Sequence, residues 1–285
     1  MGTAKGRAKE RERESWSQVA AGWARHDDRL RSSLSPVSER MLAAVNLKPG
    51  RRVLDIASGT GQPALLAAER VGPKGRVLGI DLVDEMLAFA RAKAADRSLR
   101  NIEFRQADGE TLDVPAGSFD AVFIRWGLMF MPDALACLKR ARDALDRGGR
   151  IAVTCFAGAE RNPWASVPLS VIRRHVDVTP PAPGTPGLFS FADPLHLRTA
   201  LESAGFADVT VDEVLFLMGG EFADGAAFVE FLLDISGPIS ALLGGLHDDA
   251  RQRVVRAIAR DIDMLEPGGR IAMPGVTWLA HARKA

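Results

Sequence analysis

Residues 53–61 read VLDIASGTG and residues 76–81 read RVLGID. An apolar run ends in a small-residue loop, and a second apolar run closes on Asp81, 20 positions past Gly61. That spacing is the start of a strand–loop–helix–strand unit. Gly59 and Gly61 let the backbone turn tightly and approach a ligand that a Cβ would hold away. Asp81 arrives where a carboxylate can accept hydrogen bonds from both hydroxyls of a ribose. The two segments together predict a nucleoside site at the carboxyl ends of a parallel sheet and leave the nucleoside open.

Outward from this point the alternation is regular. Strands are predicted at 51–57, 76–81, 102–107, 119–125 and 150–156, with helices at 62–71, 83–96 and 133–146 between them. Strands alternating with helices at this spacing imply a parallel sheet covered on both faces, and the near-continuous apolar strands agree. After Phe156 the rhythm breaks into a Pro- and Gly-rich stretch at 157–190, with PPAPGTPG (180–187) as a rigid, non-helical segment. A helix at 193–204, a strand at 207–216, helical sequence over 222–265 and a strand at 276–283 follow. Upstream, residues 1–14 read as a flexible, solvated tail and 15–46 as N-terminal lid helices. The expected architecture is α/β: a Rossmann-like, seven-stranded, mostly parallel sheet with helices on both faces and a helical lid. The main domain runs over 47–285, with lid insertions at about 157–190 and 222–265.

Composition narrows the partners. Apolar residues make up 47 % of the 285, enough for a buried core, and the net charge of +1 gives no reason to expect nucleic acid or an anionic membrane. Tyrosine is absent, so no tyrosine acts as acid or base and the usual reductase dyad is excluded. Cys137 and Cys155 have neither paired nor metal-like spacing, which suits a reducing interior and predicts no bound metal. The charged N-terminal segment lacks the apolar stretch of a signal peptide, and no run approaches a membrane span. A cytoplasmic protein is expected; its oligomeric state is not legible.

Gly59-Thr60-Gly61-Gln62-Pro63-Ala64 satisfies a loose dinucleotide fingerprint. Three details argue against a nicotinamide cofactor. Asp55, four positions before Gly59, would repel a pyrophosphate and suits a cation. Pro63 removes a backbone N–H at the start of the helix. Asp108, after the third strand, can accept from an adenine amino group, with Gly109 leaving room for the ring edge. Carboxylates with no nearby Lys or Arg describe a ligand without phosphate and with positive charge, and S-adenosylmethionine fits.

The segments VLDIASGTG (53–61), VLGIDLVDEML (77–87), QADGETLDVPAGSFDAV (106–122) and ALDRGGRIAVTCF (144–156) resemble the class I S-adenosylmethionine-dependent methyltransferases, in particular the ubiquinone and menaquinone biosynthesis group. The resemblance covers about residues 15–216, and departs at Ala57, where many members carry the first glycine of the loop. It implies that Asp55 and the loop Ala57, Ser58, Gly59 and Gly61 contact the methionine part of the cofactor. Asp81 would hold the ribose, Leu82 or Met86 would pack on the adenine, and Asp108 with Gly109 would bind its edge. Arg125 would line the junction of cofactor and acceptor, and the product would be S-adenosylhomocysteine.

Trp126, Met129 and Phe130 follow Arg125 and read either as core or as an apolar wall for a flat acceptor. Trp23, on the N-terminal helix, carries the same ambiguity. His26 and His175 are the candidate general bases, although lone histidines are more often structural. The expected partner is a small, hydrophobic or aromatic methyl acceptor, methylated on O, N or C. The alternatives are a cofactor-binding module without chemistry and a nicotinamide-dependent oxidoreductase.

Overall fold

The computed structural model describes residues 4–176 and 184–285. Residues 1–3, where the expected tail begins, and 177–183, which take in the first part of PPAPGTPG, lie outside the described residues. In chain order the first elements are α1 (Ala4–Arg25), α2 (Asp27–Ala44), β1 (Arg52–Ile56), α3 (Ala64–Val71), β2 (Arg76–Asp81), α4 (Asp84–Asp96), β3 (Ile102–Gln106), β4 (Phe119–Arg125) and α5 (Ala134–Ala144). Then come β5 (Leu145–Phe156), α6 (Pro163–His175), α7 (Pro194–Ser203), β6 (Phe206–Phe222), α8 (Gly225–Ile235), α9 (Gly237–Gly244), α10 (Asp248–Asp263) and β7 (Ile271–Lys284). Two compact units interleave along the chain. Pro36–Ala157, Pro186–Val214 and Thr277–Ala285 form a sheet unit; Met1–Ser35, Gly158–Thr185 and Leu215–Val276 form a helical unit.

The strand order is β3-β2-β1-β4-β5-β7-β6 in a seven-stranded sheet. β1 to β5 pair in parallel, and β7 runs antiparallel to β5. The central strands β1 and β4 bury Val53, Leu54, Ile56, Val122, Phe123 and Ile124 completely. Helices cover both faces there, so no polar/apolar alternation survives in those strands. β3 is an edge strand and does alternate, with Phe104 its one buried residue. At the amino ends of the strands Asp120 accepts from the backbone N–H of Arg52 at 2.8 Å and from its guanidinium at 3.0 Å, which ties β1 to β4.

β5 starts five residues before the predicted strand, because Leu145 already pairs with Phe119 and a register shift absorbs Arg147-Gly148-Gly149 before Arg150 meets Ala121. β6 and β7 also extend beyond the predicted strands.

In the helical unit, α1 begins at Ala4, so residues 4–14 are helical where a solvated tail was expected. The stretch is rich in strong helix formers, and the Arg13–Glu10 pair at 2.6 Å supports it from within. α1 packs on α8 and α9 through two glycines. A Cβ on Gly22 would lie 1.9 Å from the carbonyl oxygen of Asp234, and one on Gly237 would lie 2.5 Å from Ser15 Oγ. The Trp23 indole donates to Ile235 O at 2.7 Å. The predicted helical run 222–265 is three helices, and Phe222, Phe228 and Phe231 form an aromatic cluster at its start. α6 lies within the Pro- and Gly-rich stretch 157–190, expected as a lid insertion; Pro163 stands in its first turn, where no N–H is needed. Among the described residues no single helix is long and apolar enough to cross a membrane, and no His, Cys, Asp and Glu group could hold a metal.

Candidate functional site

The chain leaves extended geometry at the end of β1. Ala57, Gly59 and Gly61 have φ of 58°, 52° and 101°. Two are glycines, for which the left-handed region is free; Ala57 carries a Cβ there and is strained by about 1–2 kcal/mol. Gly61 is constrained by space as well, since a Cβ would lie 2.9 Å from Leu65 Cδ1. Ser58 N donates to Ile80 O at 2.9 Å, which pins the loop against β2.

Asp55 is 0 % exposed. Its Oδ2 accepts from Ala64 N, at the start of α3, at 3.0 Å. Its Oδ1 is buried and finds no partner among the described residues, and the same holds for the neighbouring Ser58 Oγ. Burial pushes the pKa of Asp55 up to about 8, against the pull of the Arg125 charge and the Ala64 amide, with the Asp81 charge adding to the rise. Two sequence expectations change here. A basic side chain does act on Asp55, because parallel pairing of β1 with β4 brings in Arg125 from 70 positions away. Asp55 is also mostly protonated at neutral pH in this state, so a fixed negative charge is not what distinguishes the loop.

Asp81 closes β2, half-buried. Its Oδ2 accepts from Gly59 N at 2.8 Å and its Oδ1 from Val83 N at 3.0 Å. Burial raises its pKa, opposed by the amides of Val83, Gly59 and Leu82. Each oxygen keeps further acceptor capacity. Leu82 is half-buried and its carbonyl accepts from Gln106 Nε2 at 2.9 Å; Met86 is buried in the first turn of α4. Asp108 Oδ1 accepts from Glu110 N at 2.9 Å and so opens a short 3-10 turn, Gly109–Thr111. A Cβ on Gly109 would lie 2.7 Å from Ile56 Cγ2, so the turn rests directly on the end of β1. Asp55, the 57–61 loop, Asp81 and the Asp108-Gly109 pair thus stand at the carboxyl ends of three adjacent strands.

The loop amides are largely committed. Gly59 N is held by Asp81, Gly61 N by Ser58 O, Ala64 N by Asp55 and Leu65 N by Gly61 O, and Pro63 has no N–H. Little of the donor set that cradles a pyrophosphate remains.

Past β4, Arg125 donates to Ser38 Oγ at 3.4 Å and its guanidinium carbon lies 5.2 Å from the centre of the Trp126 ring. Trp126 takes φ of 56°; its amide donates to Thr154 O and its indole to Thr277 Oγ1, both at 3.0 Å, and its ring packs 4.8 Å from Phe156. Met129 is buried, and its carbonyl accepts from Gly187 N and Ser190 Oγ, both at 2.8 Å. Phe130 is buried at the end of the 3-10 turn Leu128–Phe130. Trp23, His26 and His175 belong to the helical unit. His26 Nε2 lies 2.9 Å from Asp234 and its ring meets Phe231 edge-on; His175 Nδ1 donates to Val171 O, one turn back, at 2.9 Å.

Sequence reading passed over Gly79 and Ser38. A Cβ on Gly79 would lie 2.6 Å from the Phe104 ring and 3.0 Å from Ser58 Oγ, so a bare strand position lets the loop sit down on β2. The signal was an isolated glycine inside a strand pattern, which marks close approach. Ser38 carried none, since its role is to receive Arg125.

Residues 53–149 match a family described as a methyltransferase domain. The chain is 44 % identical to aklanonic acid methyltransferase DauC of Streptomyces sp. (strain C5), over 42 % of this chain and 54 % of DauC. It is 36 % identical to nocamycin O-methyltransferase of Saccharothrix syringae, over 61 % and 65 %, and 36 % identical to the ubiquinone/menaquinone biosynthesis C-methyltransferase UbiE of Pseudomonas putida strain KT2440, over 50 % and 57 %. The matches thus span between half and two thirds of these curated relatives. Among solved structures, the [4+2]-cyclase SpnF superposes with a TM-score of 0.55 at 22 % identity, over 87 % of this chain and 80 % of its own, a likeness of fold.

Proposed function

We propose that this chain, which belongs to the class I S-adenosylmethionine-dependent methyltransferases, binds S-adenosylmethionine at the carboxyl ends of β1, β2 and β3 and methylates a small hydrophobic or aromatic metabolite. The observation that carries this reading is the buried Asp55 carboxyl with one oxygen bonded to Ala64 N and the other unpartnered among the described residues. A buried polar atom left unsatisfied costs about 1–3 kcal/mol, so a ligand that brings a donor and a positive charge gains by filling it. A methionyl ammonium beside a sulfonium offers both. Ser58 Oγ, equally unpartnered, offers a second polar contact in the same loop.

The other roles follow from position. Asp81 holds the loop through Gly59 N and keeps lone pairs for ribose hydroxyls. Met86 and Leu82 supply apolar surface for the adenine, and Asp108 with Gly109 supplies its edge. Arg125 and Trp126 lie on the acceptor side, where the indole is held in place by Thr277. The bound cofactor supplies an electrophilic methyl group, which a nucleophilic O, N or C of the acceptor takes in an in-line displacement. The protein's share is to hold both partners in line in a dry pocket. Neither His26 nor His175 is given a catalytic role: each ring is engaged within the helical unit. The relatives' names, an aklanonic acid and a quinone-pathway enzyme among them, favour a ring-bearing acceptor. The committed loop amides disfavour the nicotinamide alternative.

Calorimetry of S-adenosylhomocysteine binding to the full chain, followed by transfer from labelled S-adenosylmethionine to a panel of polycyclic phenols and quinones, tests the proposal. Saturable binding and a labelled product are expected. A chain that binds neither S-adenosyl compound ends the reading, and binding without any product across the panel returns it to a cofactor-binding module.

A further inference from the structure

Two residues with side chains take the left-handed backbone region at the candidate site: Ala57, after β1, and Trp126, after β4. Such strain persists only where the surroundings hold it, and it concentrates at functional positions. The two loops meet at Gly127. A Cβ built on Gly127 would lie 2.4 Å from the Cβ of Ala57, closer than non-bonded carbons approach; its next neighbours, Ile124 Cγ2 at 3.7 Å and Ala57 Cα at 3.8 Å, are ordinary contacts. Gly127 itself has φ of −94° and ψ of −38°, where any residue is comfortable. Its backbone therefore does not require glycine. The requirement comes from one methyl group, that of Ala57.

We propose that Gly127 is a positioning residue of the cofactor site: its missing side chain lets the β4 loop close onto Ala57 and fixes the spacing between the 57–61 loop and Arg125. That spacing governs how strongly the Arg125 guanidinium acts on the buried Asp55 carboxyl. It also governs where the Arg125-Trp126 turn stands, which Trp126 N anchors to Thr154 O and the indole anchors to Thr277. With both anchors set, an added methyl at 127 has to be absorbed by the Ala57 loop. The inference rests on the proposed function for its ligand, and on geometry alone for the pairing of the two positions.

The test is a double-variant cycle on the full chain: Gly127→Ala, Ala57→Gly, and both together. Each protein is assayed for thermal stability and for S-adenosylhomocysteine affinity across pH 6.0 to 7.5. Gly127→Ala is expected to bind at least tenfold more weakly, with a displaced pH dependence because the Arg125–Asp55 geometry has moved. Ala57→Gly alone, a change within the proposed cofactor loop, sets the reference for the second substitution. The double variant should lie within threefold of Ala57→Gly in affinity and match its pH profile and its stability. If Gly127→Ala fails to fold, recovery of a cooperative melt and of binding in the double variant supports the pairing just as directly. A double variant no better than Gly127→Ala overturns it. So does a Gly127→Ala protein of lowered stability whose affinity and pH profile match the parent, since that is a structural residue only. If the parent binds no S-adenosylhomocysteine, the functional reading fails, while rescue of the melt still decides whether Ala57 sets the identity of residue 127.

Discussion

If Asp55 must be ionised to face a cationic ligand, cofactor binding below pH 8 has to expel a proton. The sign is fixed by the structure: burial holds the proton on the free protein up to about pH 8, and the ammonium that S-adenosylmethionine and S-adenosylhomocysteine share favours the carboxylate. Affinity therefore rises with pH through this window. With a free-state pKa of about 8, only about one molecule in ten is ionised at pH 7, and from pH 6.0 to 7.5 the affinity should improve about 20-fold by proton linkage. The assay is calorimetry of S-adenosylhomocysteine binding in two buffers of different ionisation enthalpy, and close to one proton released per ligand at pH 7 is expected. Asp55→Asn keeps an acceptor for Ala64 N but cannot ionise. It should bind roughly 10- to 100-fold more weakly at pH 7.5 and show neither the slope nor the buffer dependence. The same substitution acts oppositely on stability. Between about pH 4 and 8 the folded parent holds a proton that the unfolded chain has lost, so Asp55 lowers stability as pH rises, by up to about 1.4 kcal/mol per unit. The melting-temperature advantage of Asp55→Asn should widen over that window. An affinity flat within twofold from pH 6.0 to 7.5 with equal enthalpies in both buffers would refute the reasoning.

Asp81→Ala removes the acceptor of Gly59 N and Val83 N as well as the proposed ribose partner, so S-adenosylhomocysteine should bind about 10- to 100-fold more weakly by calorimetry. Gly109→Ala places a Cβ 2.7 Å from Ile56 Cγ2; a melting scan should show a loss of about 1–3 kcal/mol, and adenosine-containing ligands should weaken further than methionine does. Cys137 and Cys155 are fully buried, and burial pushes the Cys155 thiol up. A thiol-reactive chromophore should label neither in the native protein and both after denaturation, and rapid native labelling would contradict the packing of α5 and β5.

What the sequence made legible followed from period and turn chemistry. The strand β4 falls on the predicted residues 119–125 because buried parallel strands have no competing pattern, and β2 likewise ends on Asp81. The charges of residues 4–14 resemble those of a tail, whereas the same Glu and Arg residues are good helix formers once α1 has α8 and α9 to pack on. The start of β5 was hidden by Arg147-Gly148-Gly149, which reads as a stop and is a register shift within a continuing strand. Arg125 could not be placed beside Asp55 from spacing, since that neighbourhood exists only once β1 and β4 pair.

Glycines divide along the same line. Gly59 and Gly61 announce themselves because a loop after a strand needs positive φ, and the structure has it there. Gly127 announces nothing: its backbone is helical, it sits among large apolar residues, and a chain-wise reading treats it as a weak spot in the pattern. Its reason lies 70 positions away, in a loop residue that is itself irregular for carrying a methyl group where glycine would be unstrained. The two departures explain each other. A methyl at 57 leaves room only for a hydrogen at 127, so a chain of this fold with glycine at the first position should accept alanine at the second. Accordingly the Ala57→Gly background, and not the parent, is where residue 127 becomes free to vary, and a small-residue library at 127 screened for binding in both backgrounds would show that dependence directly.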